Sequence, residues 1–208
     1  MSFRQGALLA GAISLASAPT WAQGGQPDSV VYVLSAASRF EVKTGKAGLL
    51  GFAGHAHLVR ASGFAGRVVY YPNAASESRV QIVVPADSLA VLGSSDTAEV
   101  RKVTQAMRTE VLRVDEYPLI SFVSASVTPS GEGFHVQGWL TLAGQTRDVS
   151  CDVRAEIDAD TLRATGSFAV RQTDFGIRPY RGGPAGTVRV ADRVMFSFHA
   201  IGVRAPEP

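Results

Sequence analysis

Most of the chain beyond residue 29 alternates between apolar and polar residues with a period of two. In FHVQGWLTL, Phe134, Val136 and Leu140 fall on one face, and His135 and Gln137 fall on the other. The stretches DVSCDVRAEI and LRATGSFAV alternate in the same way. This period is typical of antiparallel strands with one buried face and one face in water. Further strands are predicted at 29–34, 38–44, 64–71, 78–84, 119–128 and 187–202.

One segment has a helical period instead. Within SSDTAEVRKVTQAMRTEVLRVDEYP an apolar residue recurs every three or four positions, at Val100, Val103, Met107, Val111 and Val114. Residues at this spacing form one stripe along a helix. Pro118 disfavours a helical conformation at Tyr117 and so ends the helix before that point. The pattern predicts one amphipathic helix over about 96–114.

About eight antiparallel strands with short turns must protect their edges, either by closing into a barrel or by stacking as a sandwich. Small residues at inward positions, Gly138, Ala164 and Gly166, predict free space inside. A barrel of about eight strands is wide enough to be filled by side chains or to hold one small ligand. The fold class predicted is therefore all-β, with the helix lying across the outside or covering one end.

The first residues have the features of an export signal. Arg4 is followed by the apolar run GALLAGAISLASA and then by Thr20-Trp21-Ala22, which resembles a small-residue cleavage site. The apolar run is shorter than the ~20 residues that a membrane-spanning helix needs. We expect a signal peptide over 1–22, cleavage after Ala22, and one exported domain over 29–203.

Charge and cysteine content exclude two classes of protein. The chain carries 20 lysine and arginine residues against 18 aspartate and glutamate residues, so it lacks the basic surface that nucleic acid requires. Cys151 is the only cysteine. A disulfide framework is therefore excluded, and we expect Cys151 to be a small hydrophobic core residue. The sequence leaves open whether the protein forms a homodimer.

The stretch GKAGLLGFAGHAHLVRA combines four glycines at three-residue spacing with the pair His55 and His57. A Walker phosphate loop needs a different glycine spacing before its lysine and a helix after it, so a nucleotide site is not expected. On a strand, both histidines point to the same side and could reach one metal ion. A third ligand is missing from the pattern, because His135 and His199 fall on polar faces. Two other roles remain open for the pair: contact with a polar ligand headgroup, or ordinary backbone hydrogen bonds in a glycine-rich turn.

Other candidate ligand contacts are three phenylalanines and a group of arginines. Phe52, Phe64 and Phe168 are candidates for the lining of an apolar interior, although core packing would also explain them. Arg178 and Arg181 could attract an anionic headgroup, although solvated loop charges are more common. The sequence contains no nucleophile elbow and no zinc-protease motif. We therefore expect neither catalysis nor a cofactor.

Several phrases together resemble the YceI-like family, which consists of exported, lipocalin-like, polyisoprenoid-binding proteins. The matching phrases are GHAHLV, GFAGRVVY, VLRVDEYPLISFVS, VQGWLTLAGQTRDVSCDV, TDFGI and VADRVMFSF. They follow one another in the family's order over about 30–203. The paired histidines replace the more common single histidine and resemble a histidine-pair (GHxH) subgroup.

This resemblance implies a lipocalin-like antiparallel barrel in the periplasm. Its interior would hold an isoprenoid or other long-chain lipid, of the quinone or polyprenyl type. The ligand-binding residues expected are His55, His57, Phe52, Phe64, Phe168, Arg178 and Arg181. The alternative is a metal-dependent protein that uses His55 and His57 as metal ligands.

Overall fold

The computed structural model of the chain describes residues 29–47, 57–92, 97–182 and 188–206. Twelve strands make up most of it. They are β1 (Val30–Leu34), β2 (Arg39–Ala47), β3 (Leu58–Ala61), β4 (Ala65–Tyr70), β5 (Arg79–Pro85), β6 (Leu89–Leu92), β7 (Leu119–Ser130), β8 (Gly133–Leu142), β9 (Gln145–Ile157), β10 (Thr161–Arg171), β11 (Arg181–Gly182) and β12 (Val188–Arg204).

One helix and three short 3-10 turns accompany these strands. The helix α1 (Thr97–Ala106) continues as a turn of π-helix over Met107–Val111. The 3-10 turns span Ala75–Glu77, Ala86–Ser88 and Gln172–Phe175. The predicted helix over about 96–114 is therefore confirmed as an element, and it ends three residues earlier than expected.

The strands close into an eight-stranded antiparallel barrel, as predicted. Its ring runs β1-β4-β5-β7-β8-β9-β10-β12 and returns from β12 to β1. Three of the long strands are bent into two parts: β2 follows β1 along the same edge of β12, and β3 and β6 extend β4 and β5. The sequence pattern missed β3 and β6 because each has only four residues, too few for a period to be recognised.

The registers place the strand ends at two ends of the barrel. The Tyr32 end carries the turns between β4 and β5, β7 and β8, and β9 and β10. The opposite end, which we call the mouth end, carries the end of β2, the start of β3, α1 and the Gln172–Phe175 turn. The strand order gives an up-and-down barrel in which each long strand, whether straight or bent into two parts, runs from one end to the other.

The wall between β6 and β7 is completed by the helix and not by strand pairing. β7 pairs with β5 only up to Pro85, so none of the described strands lies beside the outer edge of β6. Thr104 of α1 accepts a hydrogen bond from the Val91 backbone N–H at 3.1 Å. Arg108 donates to the Leu89 carbonyl oxygen through Nε at 3.1 Å and Nη2 at 2.8 Å. Side chains of the helix thereby satisfy the backbone groups that a strand would otherwise pair.

Two of the small inward residues do not leave empty space, contrary to the expectation. A Cβ at Gly138 would meet the Phe122 ring at 2.7 Å, and a Cβ at Gly166 would meet the Phe198 ring at 2.6 Å. These glycines therefore make room for the aromatic rings of neighbouring strands. Ala164 does line free space, as the pattern suggested.

Candidate functional site

A cavity of about 780 Å³ occupies the interior of the barrel. Its wall consists mainly of apolar side chains on the inward faces of the strands. Among them are Val42, Val59, Val68, Val80, Ile82, Phe122, Val136, Leu140, Val149, Val153, Leu162, Val194 and Phe196. The face of α1 and the following π-turn that carries Val103, Met107 and Val111 completes the wall at the mouth end.

The cavity extends along the barrel, because residues from both ends line it. Tyr70, Phe134 and Ile157 line it near the Tyr32 end. The rings of Tyr70 and Phe134 meet edge to face with centroids 6.3 Å apart. Tyr32 itself is 2% exposed and donates its hydroxyl to the Asp158 carbonyl oxygen at 2.7 Å. Burial raises the pKa of this phenol, so it stays a neutral donor.

Polar groups line the cavity at the mouth end. They include Thr44, His57, Gln172 and Tyr180. The His57 backbone N–H donates to Thr44 Oγ1 at 3.0 Å, and the Thr44 N–H donates to the His57 carbonyl oxygen at 3.0 Å. Gln172 is buried, and its Nε2 donates to the Ala191 carbonyl oxygen at 2.8 Å. The cavity is therefore mainly apolar, and it carries a group of polar side chains at the mouth end.

The Gln172–Phe175 turn is held against β12 by one carboxylate. Asp192 accepts from the Thr173 backbone N–H at 2.9 Å and from the Thr173 hydroxyl at 2.8 Å. The backbone hydrogen bond from Thr173 lowers the pKa of Asp192 below its ordinary value. Asp192 lies where the β12 register with β2 shifts, between Val190 and Val194. This bulge and its carboxylate position Gln172 at the cavity.

The predicted aromatic contacts differ in their position relative to the cavity. Phe168 lines the cavity and stacks on Phe196, with centroids 5.1 Å apart and planes 9° apart. Phe64 packs edge to face on Phe40 at 4.9 Å. Phe40 lines the cavity, and Phe64 belongs to the core packed around it. Phe52 lies outside the described residues.

The predicted polar contacts divide in a similar way. His57 lines the cavity, whereas His55 lies outside the described residues. Arg178 and Arg181 are exposed, and neither lines the cavity. Arg181 lies on the short strand β11, opposite Arg189 of β12. The position of these arginines agrees with solvated loop charges.

The other two histidines and the cysteine lie on the strand faces that the alternation predicts. His135 is on the outer face and its Nδ1 lies 2.8 Å from Asp152 Oδ1. His199 is exposed. Cys151 lines the cavity wall, and burial raises the pKa of its thiol to about 11. The cysteine is thus a hydrophobic wall residue rather than part of a packed core.

Neither a cluster of metal ligands nor a membrane-spanning helix is found in the part of the chain that the structure describes. Within 29–47, 57–92, 97–182 and 188–206, no three histidine, cysteine, aspartate or glutamate side chains come together as metal ligands. Among the same residues, none of the helices has the length and apolar character needed to cross a bilayer.

Sequence reasoning missed several residues of this cavity. Thr44 and Gln172 gave no signal, because a single polar residue at an inward position is common. Phe122, Phe196 and Phe198 could have been found, since each continues the inward alternation of its strand. Ala155 and Ala200 also line the cavity, and their importance follows only from the registers that bring them beside Ala164.

Solved structures with the same fold include proteins from three organisms. BcnA of Burkholderia cenocepacia is 21% identical with a TM-score of 0.65, over 81% of this chain and 98% of that chain. A polyisoprenoid-binding domain from Saccharophagus degradans is 12% identical with a TM-score of 0.59, over 84% and 98%. The YCEI protein of Campylobacter jejuni is 12% identical with a TM-score of 0.55, over 72% and 85%. A comparison with curated proteins finds no match.

These similarities establish the fold, and the sequence establishes the family. The sequence pattern of the YceI-like domain matches residues 34–201, which is most of the chain. The chain belongs to the YceI-like domain family.

Proposed function

We propose that the barrel binds the apolar chain of an isoprenoid or other long-chain amphiphilic lipid, of the quinone or polyprenyl type. The observation that carries this proposal is the internal cavity of about 780 Å³, whose wall is mainly apolar and has a group of polar side chains at the mouth end. Cavities of roughly 300–1,000 Å³ with mostly apolar walls and a few placed polar groups are typical of sites for small molecules. Burial of each methylene group contributes about 0.8 kcal/mol, so a chain of several isoprene units binds with few polar contacts.

The polar groups at the mouth end suit the headgroup of such a lipid. Gln172 offers an amide, and Tyr180 and Thr44 offer hydroxyl groups, beside His57. A neutral imidazole provides one donor and one acceptor, which matches a quinone carbonyl or a hydroxyl. We assign His57, together with His55 of the histidine pair, to the headgroup. The pair would thereby define a GHxH subgroup whose members share this headgroup contact.

The role proposed is that of a periplasmic binding protein without catalytic activity. Export follows from the predicted signal peptide over 1–22. The description of the Saccharophagus degradans domain as polyisoprenoid-binding supports the same ligand class. Transport between membranes and sequestration of the lipid both agree with this role.

Solvent extraction tests the proposal. The protein is purified without detergent from a host that exports it, extracted with an organic solvent, and the extract is examined by mass spectrometry. We expect a molar equivalent of an isoprenoid lipid. An empty barrel that also takes up neither an added isoprenoid quinone nor a polyprenyl phosphate contradicts the proposal.

A further inference from the structure

Towards the mouth end, β9 and β10 no longer pair with each other, and the barrel wall opens between them. The two strands pair from Ile157 and Leu162 as far as Val153 and Gly166. Beyond that point β9 continues beside β8 as far as Gln145, while β10 continues beside β12 as far as Arg171. Each strand follows its other neighbour, and the edges of 145–152 and 167–171 diverge.

A groove lies on the surface at this divergence, and we call it the side groove. It is lined by Arg147, Asp148, Val149, Ser150, Phe168, Ala169, Val170, Thr173, Asp174 and Phe175. Three of these residues, Val149, Ser150 and Phe168, also line the internal cavity. The wall between the side groove and the cavity is therefore a single layer of residues.

The two gaps in the barrel wall are closed differently. α1 and the π-turn that follows it cover the gap beside β6 and are held there by hydrogen bonds of Thr104 and Arg108. The Gln172–Phe175 turn lines the side groove through Thr173, Asp174 and Phe175, of which Phe175 is 2% exposed and belongs to the core. Between Phe175 and the last β9–β10 pair, the Phe168 ring is the largest side chain that separates the groove from the cavity.

A side opening offers a loading route that suits an amphiphilic lipid. Entry from the Tyr32 end would instead carry the polar headgroup across an apolar cavity, where the headgroup loses its hydrogen bonds to water. An opening along the mouth half lets the chain move in sideways while the headgroup stays in water. The rim of the side groove is polar, with exposed Arg147, Asp148 and Asp174, so a headgroup beside it remains hydrated.

We propose that the side groove between β9 and β10 is a lateral portal through which the lipid chain enters and leaves, and that Phe168 is its gate. This inference rests on the proposed lipid-binding function. It assigns to Phe168 a role in the rate of ligand exchange, in addition to its contact with the bound chain.

A matched pair of substitutions tests the gate. Phe168 and Phe196 stack on each other and both line the cavity, but only Phe168 also lines the side groove. Phe168→Leu and Phe196→Leu therefore remove similar surface from the bound ligand. The rate measured is the release of a nitrobenzoxadiazole-labelled geranylgeraniol from loaded protein to excess lipid vesicles, followed by stopped-flow fluorescence.

The portal predicts that Phe168→Leu releases the probe about tenfold faster than Phe196→Leu, which corresponds to a barrier lower by about 1.4 kcal/mol. Equal rates for the two variants overturn it. Thermal unfolding of both variants shows whether each is folded at the assay temperature. Leucine is used because it keeps most of the apolar volume and so avoids the large loss of stability that Phe→Ala changes cause in a core.

A disulfide across the groove gives a second test that keeps both rings. If the β9–β10 register is extended past its last pair, Val153 with Gly166, Ser150 comes opposite Ala169 across the gap, and alternation directs both side chains away from the inward face. Ser150→Cys/Ala169→Cys in a Cys151→Ser background should draw the strands together when oxidised. The control uses the same Ser150 position with Gln137→Cys, since Ser150 and Gln137 are already paired between β9 and β8.

Oxidation should slow release at least about tenfold in the Ser150/Ala169 variant and leave the Ser150/Gln137 control unchanged. Fully cross-linked protein that releases the probe as fast as its reduced form overturns the portal. Failure of the proposed function gives a different result: the labelled geranylgeraniol then binds to neither variant nor to the unmodified protein. The comparison of Phe168 with Phe196 does not depend on whether the disulfide forms.

Discussion

Filling the cavity near the Tyr32 end should weaken ligand binding, and Ala164 is the position at which to fill it. Ala164 lies opposite Ala155 of β9 and opposite Ala200 of β12, and all three line the cavity. We call these three residues the alanine band. Each ends at its Cβ atom, so a larger side chain at position 164 projects into free space instead of into packed side chains.

The expected magnitude follows from the volume that leucine would occupy. Ala164→Leu adds three carbon atoms to the wall, and a ligand chain that reached the alanine band loses burial of about three methylene groups. At about 0.8 kcal/mol for each methylene, the affinity falls by about 2.4 kcal/mol, or about 60-fold in Kd. The ligand-free protein should be no less stable, because the new side chain fills a cavity.

Equilibrium titration with the labelled geranylgeraniol measures the effect, and thermal unfolding checks the fold. Thr165→Leu is the matched control, since Thr165 is the next residue on β10 and is exposed on the outer face. Its Kd should stay at the value of the unmodified protein. An unchanged Kd in Ala164→Leu would refute the reasoning, because it would mean that the bound chain does not reach the alanine band.

Three further predictions concern the helix, the mouth end and the thiol. Arg108→Ala removes two hydrogen bonds to the Leu89 carbonyl and should destabilise the α1 region by about 1.5–3 kcal/mol. Amide hydrogen exchange over 97–111 should therefore be faster in Arg108→Ala, whereas the exposed control Arg101→Ala should leave it unchanged. Equal exchange rates in the two variants contradict the proposed role of Arg108. Asp192 has a lowered pKa, so its carboxylate stabilises the fold above its ordinary pKa and loses this effect as the pH falls through the lowered value. In urea unfolding, the free energy of unfolding that Asp192→Asn removes should be largest at pH 7 and should become smaller below about pH 4. A loss of unfolding free energy that is the same at both pH values contradicts this. Cys151, with a pKa of about 11 against an ordinary 9.0, should react with iodoacetamide at pH 8 about 100-fold more slowly than free cysteine, and an equal rate would mean that the thiol is not buried in the wall.

The fold could largely be predicted from the sequence, because the alternation of apolar and polar residues recurs in the long strands. Alternation in β8, β9 and β10 places Val136, Val153 and Leu162 inside, and all three are inside. The bends could not be predicted in this way. β3 and β6 are too short to show a period. The side chains of Thr104 and Arg108 complete the edge of β6, and because they lie more than ten residues from it in the sequence, no local pattern predicts the contact.

The candidate site was harder to predict, because a cavity depends on what the strands leave unfilled. Gly138 and Gly166 resembled space-giving residues, but Phe122 and Phe198 lie across them. Ala164 was predicted correctly, and only the registers show that it has alanine on both sides. The divergence of β9 and β10 has no sequence signal, since each strand alternates without a break.

The central claim is that the interior of the barrel binds an isoprenoid chain, and calorimetry of a length series tests it most directly. Protein freed of lipid is titrated with isoprenoid quinones that share one headgroup and differ in the number of isoprene units. We expect the affinity to rise with each added unit until the cavity is filled and then to level off, with a negative heat-capacity change as apolar surface is buried. An affinity that is the same for every chain length would contradict the claim.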